Sequence, residues 1–240
     1  MLKNDLVAKN PLSALHTGKD GQVIAQRLGT VIARAGVGKT AILVQIALDY
    51  MLRGKQVVHV SIGQNIEKTK SWYDDIICDI AAGAKQENTA DIKFEVMRNR
   101  MIMTFKEATF NRPKLEERLN DLIYQDIFRP CCMVIDGLDA ASIDRQMVAD
   151  LRELAHEASM NIWFSANSQR AAQDVAKTGA IPEPCDQVAD LLDTVIMLQP
   201  ESNGESKIFL NVLKDNAGSI ATGKTLRLDP TSLLVWGSTF

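Results

Sequence analysis

Three observations in the sequence predict an α/β fold with a mainly parallel central sheet flanked by helices and a C-terminal antiparallel β-hairpin. Short apolar runs rich in β-branched residues alternate with amphipathic helical stretches along most of the chain. A glycine-rich turn, ARAGVGKT (33–40), joins the first of these runs to a helical stretch. The tail, SKIFLNVLKDNAGSIATGKTLRLD, reads as two strands around a turn-rich centre. Strands alternating with helices imply right-handed βαβ units, hence parallel pairing, and the closing hairpin makes the sheet mixed.

GTVIA (29–33) is apolar enough for a buried strand. In TAILVQIALDYMLRG, Ile42, Leu43, Ile46, Ala47 and Tyr50 recur at helical spacing, and Gly54 stands where a helix ends. QVVHVSI (56–62) is β-branched and reads as the second strand, followed by an amphipathic helix over 66–82. RMIMTF (100–105) is a third strand, and Pro113 opens a helix through KLEERLNDLIYQ. CCMVID (131–136) is a short buried strand ending in a carboxylate; a helix over 142–158 and strands at 161–166 and 193–199 follow. The polar stretches 83–91, 182–186 and 201–205 read as loops, and there is no internal repeat or low-complexity segment.

The 240 residues suffice for one domain with a sizeable core, and 46% hydrophobic with 24% charged residues is an ordinary globular composition. Residues 1–20 read as an arm or linker and 21–240 as the domain. The net charge of −3 and pI of about 5.7 disfavour a nucleic-acid partner held by phosphate contacts. No apolar run approaches the roughly 18–20 residues that span a bilayer, and MLKNDLVAKNPLSAL lacks the apolar core of a signal peptide. Cys78, Cys131, Cys132 and Cys185 show no CxxC spacing and read as reduced thiols, so a cytoplasmic location is expected.

The pattern GxxxxGK[ST], whose glycines let backbone amides cradle phosphates at a helix N-terminus, occurs twice in approximation. From Gly218, GSIATGKT matches every letter; from Ala33, ARAGVGKT has Ala in place of the first Gly. A phosphate loop must leave a strand and open a helix. Only the N-terminal copy does so, since GSIATGKT is followed by LRLDPTSLLVWGSTF, which has no helical face. The second copy therefore reads as a hairpin turn. In the first, Gly36 and Gly38 lie in the turn, Lys39 is placed to reach β- and γ-phosphates, and Thr40 can offer its hydroxyl to Mg²⁺. Asp136, ending an apolar strand about a hundred residues later, suits the carboxylate that holds the Mg²⁺ water shell. Asp139 reads equally as a second metal-side carboxylate or a loop cap.

With these motifs the chain resembles the RecA-like P-loop ATPases, especially the branch of DnaB-type replicative helicases and KaiC-like proteins. The likeness covers 21–240: GTVIARAGVGKTAILVQIALDYMLRGKQVVHVSI is similar to that family's first βαβ segment, and VLKDNAGSIATGKTLRLDPTSLLVW to its closing hairpin. The resemblance implies a nucleotide loop of Ala33, Arg34, Ala35, Gly36, Val37, Gly38, Lys39, Thr40 and Ala41, with Asp136 beside it and Thr40 and Asp136 toward Mg²⁺. It implies ATP or ADP as ligand, GTP as the variant, and a homo-oligomer with nucleotide near a subunit interface.

Three departures bear on catalysis. Where the family carries a glutamate after the second strand, this chain has Gly63 and Gln64, with Glu67 a turn later. The strand after Asp136 ends in Ser165, Ala166 and Asn167 rather than Gln. The closing strand has Lys214-Asp215-Asn216 in place of a Lys-x-Arg pair. Lys39, Gln64 and Glu67 are thus the catalytic candidates. Loss of a base costs about 10²–10⁴-fold and of an arginine finger about 10³–10⁵. The expected function is an Mg²⁺-dependent ATP-binding switch or assembly protein with weak or absent hydrolysis and an unidentified protein partner. The alternatives are a motor on single-stranded DNA, for which the loops at 169–186 and 200–207 are short of basic and aromatic residues, and a P-loop kinase, for which 105–118 supplies only Arg112 and Arg118. The chain also shows no sign of the N-terminal helical domain of a complete helicase.

Overall fold

The computed structural model describes residues 11–16, 24–83, 89–168, 179–200, 207–229 and 235–236. The strands are β1 (Leu28–Ala33), β2 (Val57–Ile62), β3 (Arg100–Phe105), β4 (Cys132–Asp136), β5 (Asn161–Asn167), β6 (Thr194–Pro200), β7 (Ile208–Asp215), β8 (Thr225–Leu228) and β9 (Val235–Trp236). They form one sheet in the order β3-β2-β4-β5-β1-β6-β7-β8-β9. The first six are parallel; β7, β8 and β9 add antiparallel at one side. The α/β class, the mostly parallel sheet and the closing hairpin agree with the sequence reading.

The α-helices are α1 (Lys39–Leu52), α2 (Ile66–Gly83), α3 (Thr89–Met97), α4 (Arg112–Tyr124) and α5 (Arg145–Glu157). One face of the sheet packs with α1, α2 and α3 in a core that includes Val31, Val57, Val134 and Ile196. The other packs with α4 and α5 around Ile32, Val60, Ile135 and Phe164. With both faces covered, the inner parallel strands are buried along their length rather than alternating between buried and exposed positions. Helix α1 is buried at every position from Ala41 to Leu52. The apolar stripe in its sequence therefore understates its burial, because α2, α3 and the 3₁₀ turn Pro11–His16 close over its outer side. Leu12 and Leu15 belong to that core, so this part of the expected N-terminal arm is packed against the domain. Helix α3 falls partly within the polar stretch read as a loop, and its weak amphipathicity explains why periodicity did not reveal it.

The second GKT sequence is a hairpin turn. Gly218 and Gly223 take positive φ, Ile220 is buried, and the Ile220 amide donates to Asp215 Oδ2 at 3.0 Å. Arg27 locks this turn to the body. Its guanidinium donates to Ser219 Oγ at 3.1 Å and to the Leu15 carbonyl at 2.7 Å, and lies 3.4 Å from Asp215 Oδ1. Both charged side chains of this ion pair are essentially inaccessible to solvent. Lys214, on the same hairpin, donates to the carbonyls of Ala189 and Leu192 at 2.8 and 2.6 Å. Its ammonium is thus engaged within its own chain.

Near the centre of β2, His59 Nδ1 lies 2.9 Å from the Tyr73 hydroxyl, and the Arg100 guanidinium sits 4.6 Å from the Tyr73 ring centroid. Tyr73 is therefore a core residue, and Arg100 is held by a cation–π contact. Burial pushes the His59 pKa down to about 4, against the opposing pull of Asp136.

Two measurements check these packing arguments. Arg27→Met leaves the Asp215 carboxylate buried without its cation, and should cost about 3–5 kcal/mol in urea unfolding; a loss below about 1 kcal/mol would show that the pair does not hold the hairpin. Because His59 binds a proton less readily folded than unfolded, stability should fall as pH drops from 6.5 toward 4. His59→Gln should flatten that part of the stability–pH profile.

Candidate functional site

Parallel strands present their carboxyl ends along one edge, and ligands of open α/β sheets bind beyond that edge. Here β1, β2, β4 and β5 bring Ala33, Gly63, Asp136 and Asn167 to that edge. The chain leaves β1 through 34–38 and enters α1 at Lys39. Gly36 (φ +79°) and Gly38 (φ +108°) adopt left-handed conformations that other residues reach only at a cost. A Cβ at Gly36 would meet nothing within 4 Å, so that position faces open space. Gly38 occupies the N-cap of α1 and supplies no capping side chain, which leaves the first helical amides available to an outside acceptor.

Three contacts, two from Lys39 and one from Thr40, define the rest of the loop. Lys39 Nζ folds back to the carbonyls of Ala33 (3.2 Å) and Arg34 (3.0 Å). Burial lowers its pKa, and the Asp136 charge opposes that shift. Thr40 Oγ1 donates to Asp136 Oδ2 at 2.6 Å, across 96 residues of sequence.

Asp136 is the centre of the arrangement. Only 4% of it is exposed, and three side chains donate to its carboxylate: Thr40, Gln64 Nε2 (to Oδ2, 3.2 Å) and Ser165 Oγ (to Oδ1, 2.7 Å). Ser165 Oγ in turn accepts from the Gly137 amide at 3.2 Å. The strands explain the convergence. β5 lies between β4 and β1 and so carries Ser165 beside Asp136, while β2 borders β4 on the other side and carries Gln64.

The structure therefore brings together Lys39, Thr40, Asp136 and Gln64. Ala33, Arg34, Ala35, Gly36, Val37, Gly38 and Ala41 form the strand end, turn and first helical residues. Glu67 stands apart: its carboxylate is 70% exposed and pairs with Lys70 within α2 at 3.0 Å. Asp139 precedes the 3₁₀ turn Ala140–Ser142 without capping it through its side chain. Among the described residues no three His, Cys, Asp or Glu side chains cluster as a metal cage. The carboxylate and hydroxyl of Asp136 and Thr40 suit a hard cation that keeps most of its oxygen ligands from water and a bound anion, as Mg²⁺ does. The sequence singled out Ser165 only for not being Gln; its hydroxyl as a fixed donor to Asp136 depends on strand order and has no local signal.

No family model matches the chain, and no curated protein matches it significantly.

Ser165→Ala should lower stability by about 1–3 kcal/mol, because it leaves a lone pair of a buried carboxylate unmet. Ser165→Thr, which keeps the hydroxyl, should recover part of that loss in the same thermal or urea unfolding measurement.

Proposed function

We propose that the turn at 33–40 binds the phosphates of ATP, with GTP as the variant, and that the protein is a RecA-like P-loop domain. It acts as a nucleotide-controlled switch or assembly protein with weak hydrolysis. The observation that carries this reading is the 2.6 Å contact between Thr40 and Asp136. It joins the hydroxyl of a glycine-rich strand–helix turn to a buried carboxylate at the end of a nearby parallel strand. These are the two groups that, in a P-loop site, hold Mg²⁺ against β- and γ-phosphates. In this reading Gly36, Gly38 and the first amides of α1 take the phosphate oxygens and Lys39 exchanges its carbonyl partners for them. Thr40 and Asp136 hold Mg²⁺, which offsets phosphate charge when bound.

Slow turnover follows from what surrounds these groups. The side chain after β2 nearest Asp136 is an amide, Gln64, and an amide cannot take a proton from water. Lys214 is occupied by carbonyls of its own chain. A motor would need rapid charge neutralisation at every cycle; binding and release do not. A cytoplasmic, homo-oligomeric protein with nucleotide near a subunit interface and a protein partner belongs to the same proposal.

Calorimetry with ATP and GTP, with and without Mg²⁺, tests it. Wild type should bind in a Mg²⁺-dependent manner and Lys39→Ala should weaken binding at least about tenfold. Light scattering on the same samples reads assembly. Absence of binding in wild type, or equal binding in the variant, would sink the proposal.

A further inference from the structure

The edge of the sheet carries a second carboxylate. β2 and β3 are parallel neighbours whose last residues, Ile62 and Phe105, are paired. Beyond them the Gly63 amide donates to the Phe105 carbonyl at 2.9 Å, so the two chain ends leave the sheet side by side. Glu107 then opens the short 3₁₀ turn Glu107–Thr109. Its side chain lies over Gly63. A Cβ built on Gly63 would sit 2.6 Å from Glu107 Oε1, 3.1 Å from Cγ and 3.2 Å from Cδ. The Glu107 carboxylate thus occupies the space that a side chain at 63 would enter. Gly63, at φ +69°, has neither the Cβ nor the ordinary backbone conformation that would exclude it.

Position and chemistry single this carboxylate out. The residue after Gly63 is Gln64, whose amide rests on Asp136. Gln64 and Glu107 share the wall of one open cavity of about 890 Å³, with Lys106, Lys114, Glu117 and Arg118. Arg118 is committed elsewhere, stacked 4.4 Å from the Phe105 ring centroid and donating to the Thr104 carbonyl at 3.1 Å. Among the described residues the Glu107 carboxylate makes no hydrogen bond or ion pair, in contrast to Asp136, which accepts three. An acceptor left free in a polar cavity, linked to Asp136 through the Gln64 on the same wall, can hold a water there.

We propose that Glu107, reaching from β3 over Gly63, is the catalytic carboxylate of this site: it orients the water that attacks the γ-phosphate and takes its proton. This rests on the nucleotide reading above. The water oxygen bonds to the γ-phosphorus, the bond from that phosphorus to the β–γ bridging oxygen breaks, and ADP leaves with the bond's electron pair. The water proton passes to a Glu107 oxygen and then to solvent, giving ADP, phosphate and a proton from ATP and water. The weak hydrolysis of the protein runs through this residue, at a rate held low because Asn216 stands where the closing strand would carry an arginine.

The test compares wild type, Glu107→Gln and Glu117→Gln, the last a control on the same cavity wall. Phosphate release is measured with Mg²⁺ and ATP, equilibrium binding of ATP by calorimetry, and retention of ADP with aluminium fluoride, which mimics the transferring phosphoryl group. Glu107→Gln should bind ATP within about threefold of wild type, release phosphate at least about 10²-fold more slowly and lose retention of the ADP–aluminium fluoride complex. Glu117→Gln should match wild type in all three. Wild-type turnover in Glu107→Gln, or ATP binding by wild type with no turnover, overturns the role of Glu107 and leaves the nucleotide site standing. Failure of wild type to bind ATP overturns the nucleotide reading itself.

Discussion

A carboxylate can be buried at the end of a parallel strand only if its lone pairs are met, and Asp136 makes that demand of its neighbours. Thr40 from the start of α1, Gln64 from beyond β2 and Ser165 from β5 each supply a donor. An unmet buried charge would cost several kcal/mol, far more than any one of these contacts contributes. The requirement therefore ties together the loop after β1, the end of β2 and the middle of the sheet. It also draws the hydroxyl of Thr40, the first polar side chain after Lys39, toward the place where a cation and an anion could meet. The same low-exposure environment lowers the Lys39 pKa, so its charge is costly until an anion is close.

Away from that edge, a second buried charge organises the antiparallel side. Arg27 stands just before β1, the strand at the middle of the ladder, and its guanidinium reaches the Leu15 carbonyl, Ser219 and Asp215. Three segments distant in sequence are thereby registered on one side chain: the N-terminal 3₁₀ turn, the central strand and the hairpin. This explains the fate of GSIATGKT. Its glycines do provide positive φ and its Ile220 amide does meet a carboxylate, but the carboxylate is Asp215 of the same hairpin. The letters of a phosphate loop have here been absorbed by a turn that has an internal anion to satisfy.

Much of the framework was legible. Apolar runs such as CCMVID and NIWFSA announced buried strands, and Gly54 and Pro113 marked helix ends, because turn chemistry and side-chain periodicity act over a few residues. Helix α3 was not legible, since its apolar residues are too few and too evenly spread to make a stripe. Within the site, Lys39, Thr40 and Asp136 could be named from strand–turn–helix context. Glu67 was named by proximity along the chain, and the helical pitch of α2 carries it to solvent instead. Ser165 and Glu107 could not be found that way, because each is brought to its place by the neighbour its strand acquires in the sheet.

The sequence by itself determined the α/β class, the strand–helix alternation and the hairpin turn that GSIATGKT forms at the end. Each follows from interactions between residues close along the chain, where composition and spacing suffice. Only the tertiary structure decided that Gln64 and Ser165 close around Asp136, that Lys214 is spent on its own backbone, and that Glu107 fills the space above Gly63. Those contacts depend on the strand order β3-β2-β4-β5-β1-β6-β7, and no local pattern encodes which strands become neighbours.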